Sequence, residues 1–391
     1  MTQRCLALLA ALWLCGLGHA ATLKATLLLQ ADDTRLSRSQ VERAYLGHPG
    51  GPASDGVAVA LDEAKFELDA AGSAITLDAV SVASAAAARE AAQRADKAGA
   101  VALLADLPAD WLLAVADATA APVLNIGETA DRLRQADCRA NLLHVIPSER
   151  MRADALAQTL ISRKWRDVLL LVGPGAQDTE RAATAHAAIT RYGLKVVVSK
   201  PFKLSADPRE RDLANPLLLT ATTGVPGGSY DVVWVIDSDG EFARALPYRI
   251  ALPRPVVGDA GLLALAWAPG FDRFGAPQVA RRFAKATKRA MTDHDWAAWM
   301  GAKALVAAAV AQPKGALAAV RQALAEGPLD GSKGVLLGFR PWDGQLRQPM
   351  LLADGQGVIG MAPIDGILHP KNALDTLGAD EPEKRCKVKR P

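Results

Sequence analysis

The sequence predicts an α/β fold of two lobes, each a doubly wound parallel sheet, facing each other across a cleft. Three observations carry that expectation. Apolar runs of buried-strand length alternate with segments of helical period over short links, the pattern of a parallel sheet covered by helices. The rhythm runs twice, and the two runs meet in Ala121–Pro174, where the end of one β/α unit, a polar crossing and the start of another stand side by side. The 391 residues also exceed what a single hydrophobic core usually holds.

In the first lobe, Leu23–Gln30 reads as a strand ending at Asp32-Asp33, and Thr34–Ser54 as a polar surface loop. Val57–Ala71 has helical period and Ile75–Val82 is a strand. Ser84 caps an alanine-rich helix that runs to Ala98. Ala100–Leu104 is a strand leading into Ala105-Asp106, Pro108–Thr119 a helix, and Pro122–Ile126 a strand stopped by Gly127.

The second lobe is expected to begin with the apolar run Leu142–Ile146. Ser148 caps a helix reaching Trp165, with Met151, Ala155, Leu156, Leu160 and Ile161 at helical spacing. Asp167–Val172, Lys195–Pro201, Asp231–Ile236 and Pro255–Val257 read as strands, with helices at Asp178–Tyr192 and Glu241–Leu246. Helices follow at Gly275–Arg289, Asp295–Ala311 and Lys314–Ala325, and Leu336–Ile367 reads as an antiparallel hairpin around Trp342-Asp343-Gly344 and Asp354-Gly355-Gln356-Gly357.

Composition bounds the function. A net charge of +3 is too small to argue for nucleic acid or an anionic membrane. Residues 1–20 have a basic start, an apolar stretch and a small-residue site at Gly18-His19-Ala20, the form of a cleaved secretory signal peptide, so a soluble exported protein of the periplasm is expected. Its removal leaves Cys138 and Cys386, which an oxidising compartment would allow to pair or leave as two thiols.

No nucleophile elbow, phosphate loop, zinc helix or paired CxxC occurs, and the six histidines are scattered, so the chain reads as a binder and not an enzyme. No cofactor or metal is expected. Gly173-Pro174-Gly175 reads as a tight turn, His186 as a surface residue, and Trp296 and Trp299 as packing on one helix face. Ligands of open α/β sheets bind beyond the carboxyl ends of the strands. Those ends nominate Asp106, Asn125, Glu128, Thr129, Asp178, Asp237 and Asp259, with Asp32, Asp33 and Asp239 nearby, and Arg132 and Arg181 as the cations of comparable placement. Asp and Asn also favour turns and caps, the competing use for each. An excess of facing carboxylates would favour a cation or an amine over a multiply charged anion.

As a whole the chain resembles the type I periplasmic binding proteins, in the branch of branched-chain amino-acid binding proteins of ABC transporters. CRANLLHVIPS (Cys138–Ser148), DWAAWMGAKAL (Asp295–Leu305), FRPWDGQLRQPMLL (Phe339–Leu352) and GILHPKNALDTLG (Gly366–Gly378) are similar to the subfamily associated with pyrroloquinoline-quinone-dependent alcohol dehydrogenase systems. The resemblance implies a clamshell with a three-segment hinge, the crossings falling near Asp137–Asn141, Gly258–Leu262 and Leu329–Lys333. It divides the chain into an N-terminal lobe of 21–140 and 260–331, a C-terminal lobe of 141–259 and 332–378, and a tail of 379–391. With Cys138 at the first crossing and Cys386 past the hairpin, a disulfide tying tail to hinge is expected.

The implied role is a monomeric periplasmic solute-binding protein that closes on a small polar ligand and serves an ABC permease. The alternative is an accessory or sensor protein that partners the quinone-dependent dehydrogenase. Amino-acid binders of this branch hold the ligand carboxylate with small hydroxyl residues after the third and fourth strands. Here those places read Ala105-Asp106-Leu107 and Thr129, so a leucine-like ligand is not expected. The free quinone, with several carboxylates, is not expected either.

Overall fold

The computed structural model describes residues 21–203, 207, 209, 229–250, 252–313 and 315–388. Residues 1–20, expected to form a signal peptide, lie outside the described residues.

The first sheet has five parallel strands, β1 (Ala21–Gln30), β2 (Ser73–Val82), β3 (Ala100–Asp106), β4 (Val123–Asn125) and β5 (Leu142–His144), in the order β2-β1-β3-β4-β5. Every residue of β3 is buried, as a central strand covered on both faces must be. Its side chains alternate between two cores, Ala102 and Leu104 on one face and Leu103 and Ala105 on the other. Helices α1 (Arg38–Arg43), α2 (Ala53–Glu63), α3 (Lys65–Ala70), α4 (Ala85–Lys97) and α5 (Ala109–Ala116) link these strands. Ser84 caps α4 by accepting the Ala87 N–H. The segment Thr34–Ser54, expected as loop, contains α1, and the helix expected over Val57–Ala71 starts earlier and breaks at Ala64.

The second sheet is parallel too, with β6 (Asp167–Val172), β7 (Lys195–Pro201), β8 (Val232–Ile236) and β9 (Val256–Gly258) in the order β7-β6-β8-β9. Helices α6 (Glu149–Ser162), α7 (Ala176–Arg191) and α8 (Glu241–Ala245) connect it. Ser148 caps α6 through the Met151 N–H at 3.2 Å.

Two boundary expectations are corrected. Leu142–His144 pairs with β4, so it closes the first sheet and does not open the second lobe. A three-residue apolar run carries no mark of which sheet it joins. Leu337, Phe339 and Leu346, expected in the C-terminal lobe, pack into the first lobe's core.

After β9 come β10 (Leu263–Leu265), α9 (Ala276–Thr287), α10 (Asp293–Ala311), α11 (Leu317–Glu326), and the antiparallel strands β11 (Leu329–Asp330), β12 (Leu336–Phe339), β13 (Leu346–Arg347), β14 (Met350–Ala353) and β15 (Val358–Ala362). Helix α10 is the central pillar of the first core. Trp296 and Trp299 are buried on it, their indole N–H groups donating to Gly331 O and Glu63 Oε2. Its start is a reciprocal Thr292–Asp295 cap, reinforced by Arg289 on Asp295.

The sheet β10-β14-β15 belongs to both lobes. Leu263, Leu265, Leu351 and Ala353 point into the first core, whereas Ala264, Met350, Leu352 and Ala362 point into the second. The hinge is therefore a packed element and not a linker. Strand β10 was absent from the sequence expectation, since three residues are too few to show a period.

The C-terminal segment returns across α6 and α7. Asp154 accepts the Gly378 N–H, Tyr192 donates to Thr376 O, and Arg150 holds Glu383 in a two-point ion pair. Beyond it Cys386 is disulfide-bonded to Cys138, with Cα atoms 5.8 Å apart. The tail thus lies on the second lobe and is fastened to the first.

Candidate functional site

A cleft of about 400 Å³ opens between the carboxyl ends of the two parallel sheets. The first lobe supplies the turns after β1 (Asp33–Arg35), β3 (Leu107, Pro108) and β4 (Gly127–Thr129), with Leu46–Pro49 beside them. The second supplies Glu149 and Arg152 from the first turn of α6, Arg181 from α7, and Ser238 and Asp259 from the ends of β8 and β9. The shared strand β10 and His294 complete the lining.

Of the residues expected from strand ends, Glu128, Thr129 and Asp259 line the cleft. Glu128 accepts from the N–H groups of Ala109 and Ala130, holding the start of α5. The Thr129 carbonyl accepts the Glu149 N–H across the lobes. Asp259 takes both Arg181 Nη1 and Nη2, at 2.8 and 2.6 Å, and accepts the Asp237 N–H.

The other four stand behind the cleft wall. Asp106 is buried and pairs with Arg35 at 2.8 Å. A Cβ at Gly127 would fall 1.7 Å from its Oδ1, so only glycine fits there. Asn125 is fully buried and accepts the N–H groups of Gly127 and Glu128, shaping that turn. Asp178 accepts from Gly175 N and Ser238 N, and its carboxylate presses on Gly173 so closely that a Cβ there would lie 2.4 Å away. Gly173-Pro174-Gly175 is a turn built around that acid. Asp237 is fully buried, accepts the Ala243 N–H, and has its pKa pushed up to about 6, chiefly by burial.

The expectation of mutually repelling acids does not hold. Four carboxylates line the cleft, Asp33, Glu128, Glu149 and Asp259, against three guanidinium groups, Arg35, Arg152 and Arg181. Glu149 is held below the usual carboxylate range; burial would raise it, but the Arg181 and Arg152 charges outweigh that. Arg152 donates to Ala264 O and to Asp293 Oδ2, tying α6 to the shared strand and to the start of α10. Arg132, expected among the cleft cations, instead pairs on the surface with Asp110 and Asp137. Arg35, His48, Glu149, Arg152 and His294 were missed. Arg35 and His48 sit in a stretch whose polarity predicts a loop, and Glu149 and Arg152 follow Ser148 in a helical turn whose sequence signals only a cap.

At the cleft's rim the lobes touch. Tyr45 donates to Glu241 Oε2 at 2.8 Å, its ring lies against Gly240, and the Arg43 and Arg244 guanidinium groups stand 5.9 and 5.6 Å from the ring centroid. His48, in edge contact with Tyr45, lines the cleft.

Two parallel sheets, a shared antiparallel sheet between them and a cleft at their carboxyl ends find matches throughout the solved structures. A branched-chain amino-acid ABC transporter periplasmic ligand-binding protein from Burkholderia xenovorans superposes with a TM-score of 0.72 at 14% identity, covering 93% of this chain and 99% of its own. The leucine-, isoleucine-, valine-, threonine- and alanine-binding protein of Brucella ovis, in a closed conformation, also gives 0.72 at 14% identity, over 95% and 100%. This chain has the type I periplasmic binding protein fold. A solute-binding protein of an ABC transporter from Rhodopseudomonas palustris, in complex with benzoate, shares the type I fold with a TM-score of 0.63 at 14% identity, over 87% and 96%. No protein-family model and no curated relative matches the chain. Among the described residues no helix is long and apolar enough to cross a membrane.

Proposed function

We propose that this protein captures a small solute in the periplasm by closing its two lobes, and delivers it to an ABC-type permease. The observation that carries the reading is the cleft itself, lined from both sheets' carboxyl ends over a floor strand that both cores share. Such a site binds by differential contact: ligand held by one lobe gains the other lobe's groups only when the hinge shuts. Type I neighbours that bind leucine-like amino acids or benzoate support the role. Export as a monomer after cleavage of residues 1–20 belongs to the same proposal. The link to quinone-dependent alcohol oxidation rests on the four segments Cys138–Ser148, Asp295–Leu305, Phe339–Leu352 and Gly366–Gly378.

The ligand-binding set is proposed to centre on Glu128, Thr129 and Asp259 together with Arg35, Arg152, Arg181 and His294. Asp106, Asn125, Asp178 and Asp237 shape the turns that present them. Small-angle scattering of the mature protein before and after adding fractions of a native-cell metabolite extract tests the role. A smaller radius of gyration with an active fraction is expected; tight binding with an unchanged profile would contradict capture by closure.

A further inference from the structure

Resting on the solute-binding reading, we propose that the cleft continues into the second lobe as an apolar recess, which takes the unbranched hydrocarbon chain of an amphiphilic ligand. Three elements trace the recess from mouth to floor, each at its own period. On α6 the lining passes from Glu149 to Arg152 and Ala153 and then to Leu156, spacings that keep one helix face toward the cleft. On α7 it passes from Gln177 through Arg181 to Ala185, four residues at a time. On β8 alternate residues do the same, from Ser238 just past the strand end to Ile236 and Trp234.

On all three the polar residue stands at the mouth and the apolar one deepest. Helix rise sets Leu156 about 10 Å below Glu149 and Ala185 about 12 Å below Gln177. Four strand residues set Trp234 about 13 Å below Ser238. The depths agree. Ala153, Leu156, Ala185, Trp234, Ile236 and Ala264 line the cleft and yet belong to the second lobe's core. The first lobe differs: its lining residues sit at strand ends, in turns and loops and, for His294, in the first turn of α10.

Arg181, bridging Glu149 and Asp259, marks the border. Above it the lining offers charges and hydrogen bonds; below it the side chains offer hydrocarbon and indole. A polar group carried past that border leaves water with little to replace it, whereas every methylene buried there is favourable. Cores ordinarily leave few spaces wider than a water molecule. Alanine at 153, 185 and 264, where larger apolar side chains would close the lobe, keeps this one open to the cleft. The recess lies between the helix layer of α6 and α7 and the strand β8, and a slot between two layers fits an unbranched chain. The polar head of the ligand stays at the mouth with Glu149, Gln177 and Ser238.

A series of n-alkanamides, butanamide to octanamide, tests the recess, because the uncharged head donates and accepts alike in every member and only the chain varies. In titration calorimetry on refolded, ligand-stripped protein, affinity should rise about threefold to fourfold per added methylene and level off once the recess is filled. Ala185→Val should bring the levelling-off to a shorter chain and Leu156→Ala should move it to a longer one, with circular dichroism confirming each fold. In the natural protein 6-bromohexanamide should quench tryptophan emission, and Trp234→Phe should remove most of that quenching. Affinity flat along the series, no amide binding at all, or the same levelling-off in both size variants would overturn the recess. Solute capture would still stand if a cell-extract fraction compacts the protein, and would fall as well if none does.

Discussion

The hydroxyl of Tyr45, on the first lobe, donates to the carboxylate of Glu241, on the second, at 2.8 Å across the mouth of the cleft. Neither residue lines the cavity, so the bond can act only on the equilibrium between shut and open forms. Tyr45→Ala is expected to enlarge the ligand-free radius of gyration and to weaken binding about tenfold, through faster release with little change in association. Tyr45→Phe should do the same more mildly. Stopped-flow binding with scattering checks this; a slower association with unchanged release would contradict it. Gly240→Ala should mimic the loss, because its φ is +78° and a Cβ would meet the Tyr45 ring at 2.5 Å.

Arg181 answers two carboxylates at once, Glu149 at 3.1 Å and Asp259 at 2.6 Å, and all three groups are largely shielded from water. Arg181→Met leaves both acids without their counter-charge. A loss of about 3–5 kcal/mol in urea unfolding is expected. Adding Glu149→Gln to that variant should recover part of it, and a double variant no more stable than the single would refute the pairing as the cause.

Asp237 gives a pH dependence of definite sign. Its pKa rises from 3.8 to about 6 in the folded state, through burial first, with Asp259 adding and the Ala243 N–H opposing. The folded state thus holds the proton more tightly, and the stability this contributes is complete below pH 3.8 and lost as pH rises through about 6. Asp237→Asn cannot titrate. Its stability relative to the natural protein should improve by about 1–3 kcal/mol between pH 4 and pH 7, and a gap that stays flat over that range would refute the assignment.

The Cys138–Cys386 disulfide closes a loop across 248 positions of sequence. Paired substitution to serine should cost about 2–5 kcal/mol, since a long loop loses much chain entropy in the unfolded state. The tail should nevertheless stay docked through Arg150–Glu383 and Tyr192–Thr376. Two reactive thiols in the unreduced, unfolded protein would contradict the bond.

What the sequence made legible follows from the length of each signal. The bounds expected for Lys195–Pro201 and Asp167–Val172 agree with the structure because an unbroken apolar run, Val196–Val198 in one and Val168–Val172 in the other, stands between polar or turn-forming residues. Leu263–Leu265 was invisible and Leu142–His144 went to the wrong lobe, since three apolar residues specify neither period nor partner. At the cleft, strand ends point to loops that line it, those after β4 and β9 among them. They did not separate acids that face the cleft, such as Asp259, from acids that hold backbone N–H groups behind it, such as Asp178. That distinction depends on residues brought from elsewhere in the chain: Arg181 for the first, the Ser238 N–H for the second.

The sheet shared by the lobes leaves the chain no safe alternative alignment. Leu351 and Leu352 are neighbours on β14, and each belongs to a different core. A slip of one residue against β10 would send every side chain of the strand to the opposite interior, exchanging the contents of the two lobes at a stroke. Neither half could then be excised or assembled alone, because the piece that completes one is, turned over, the piece that completes the other.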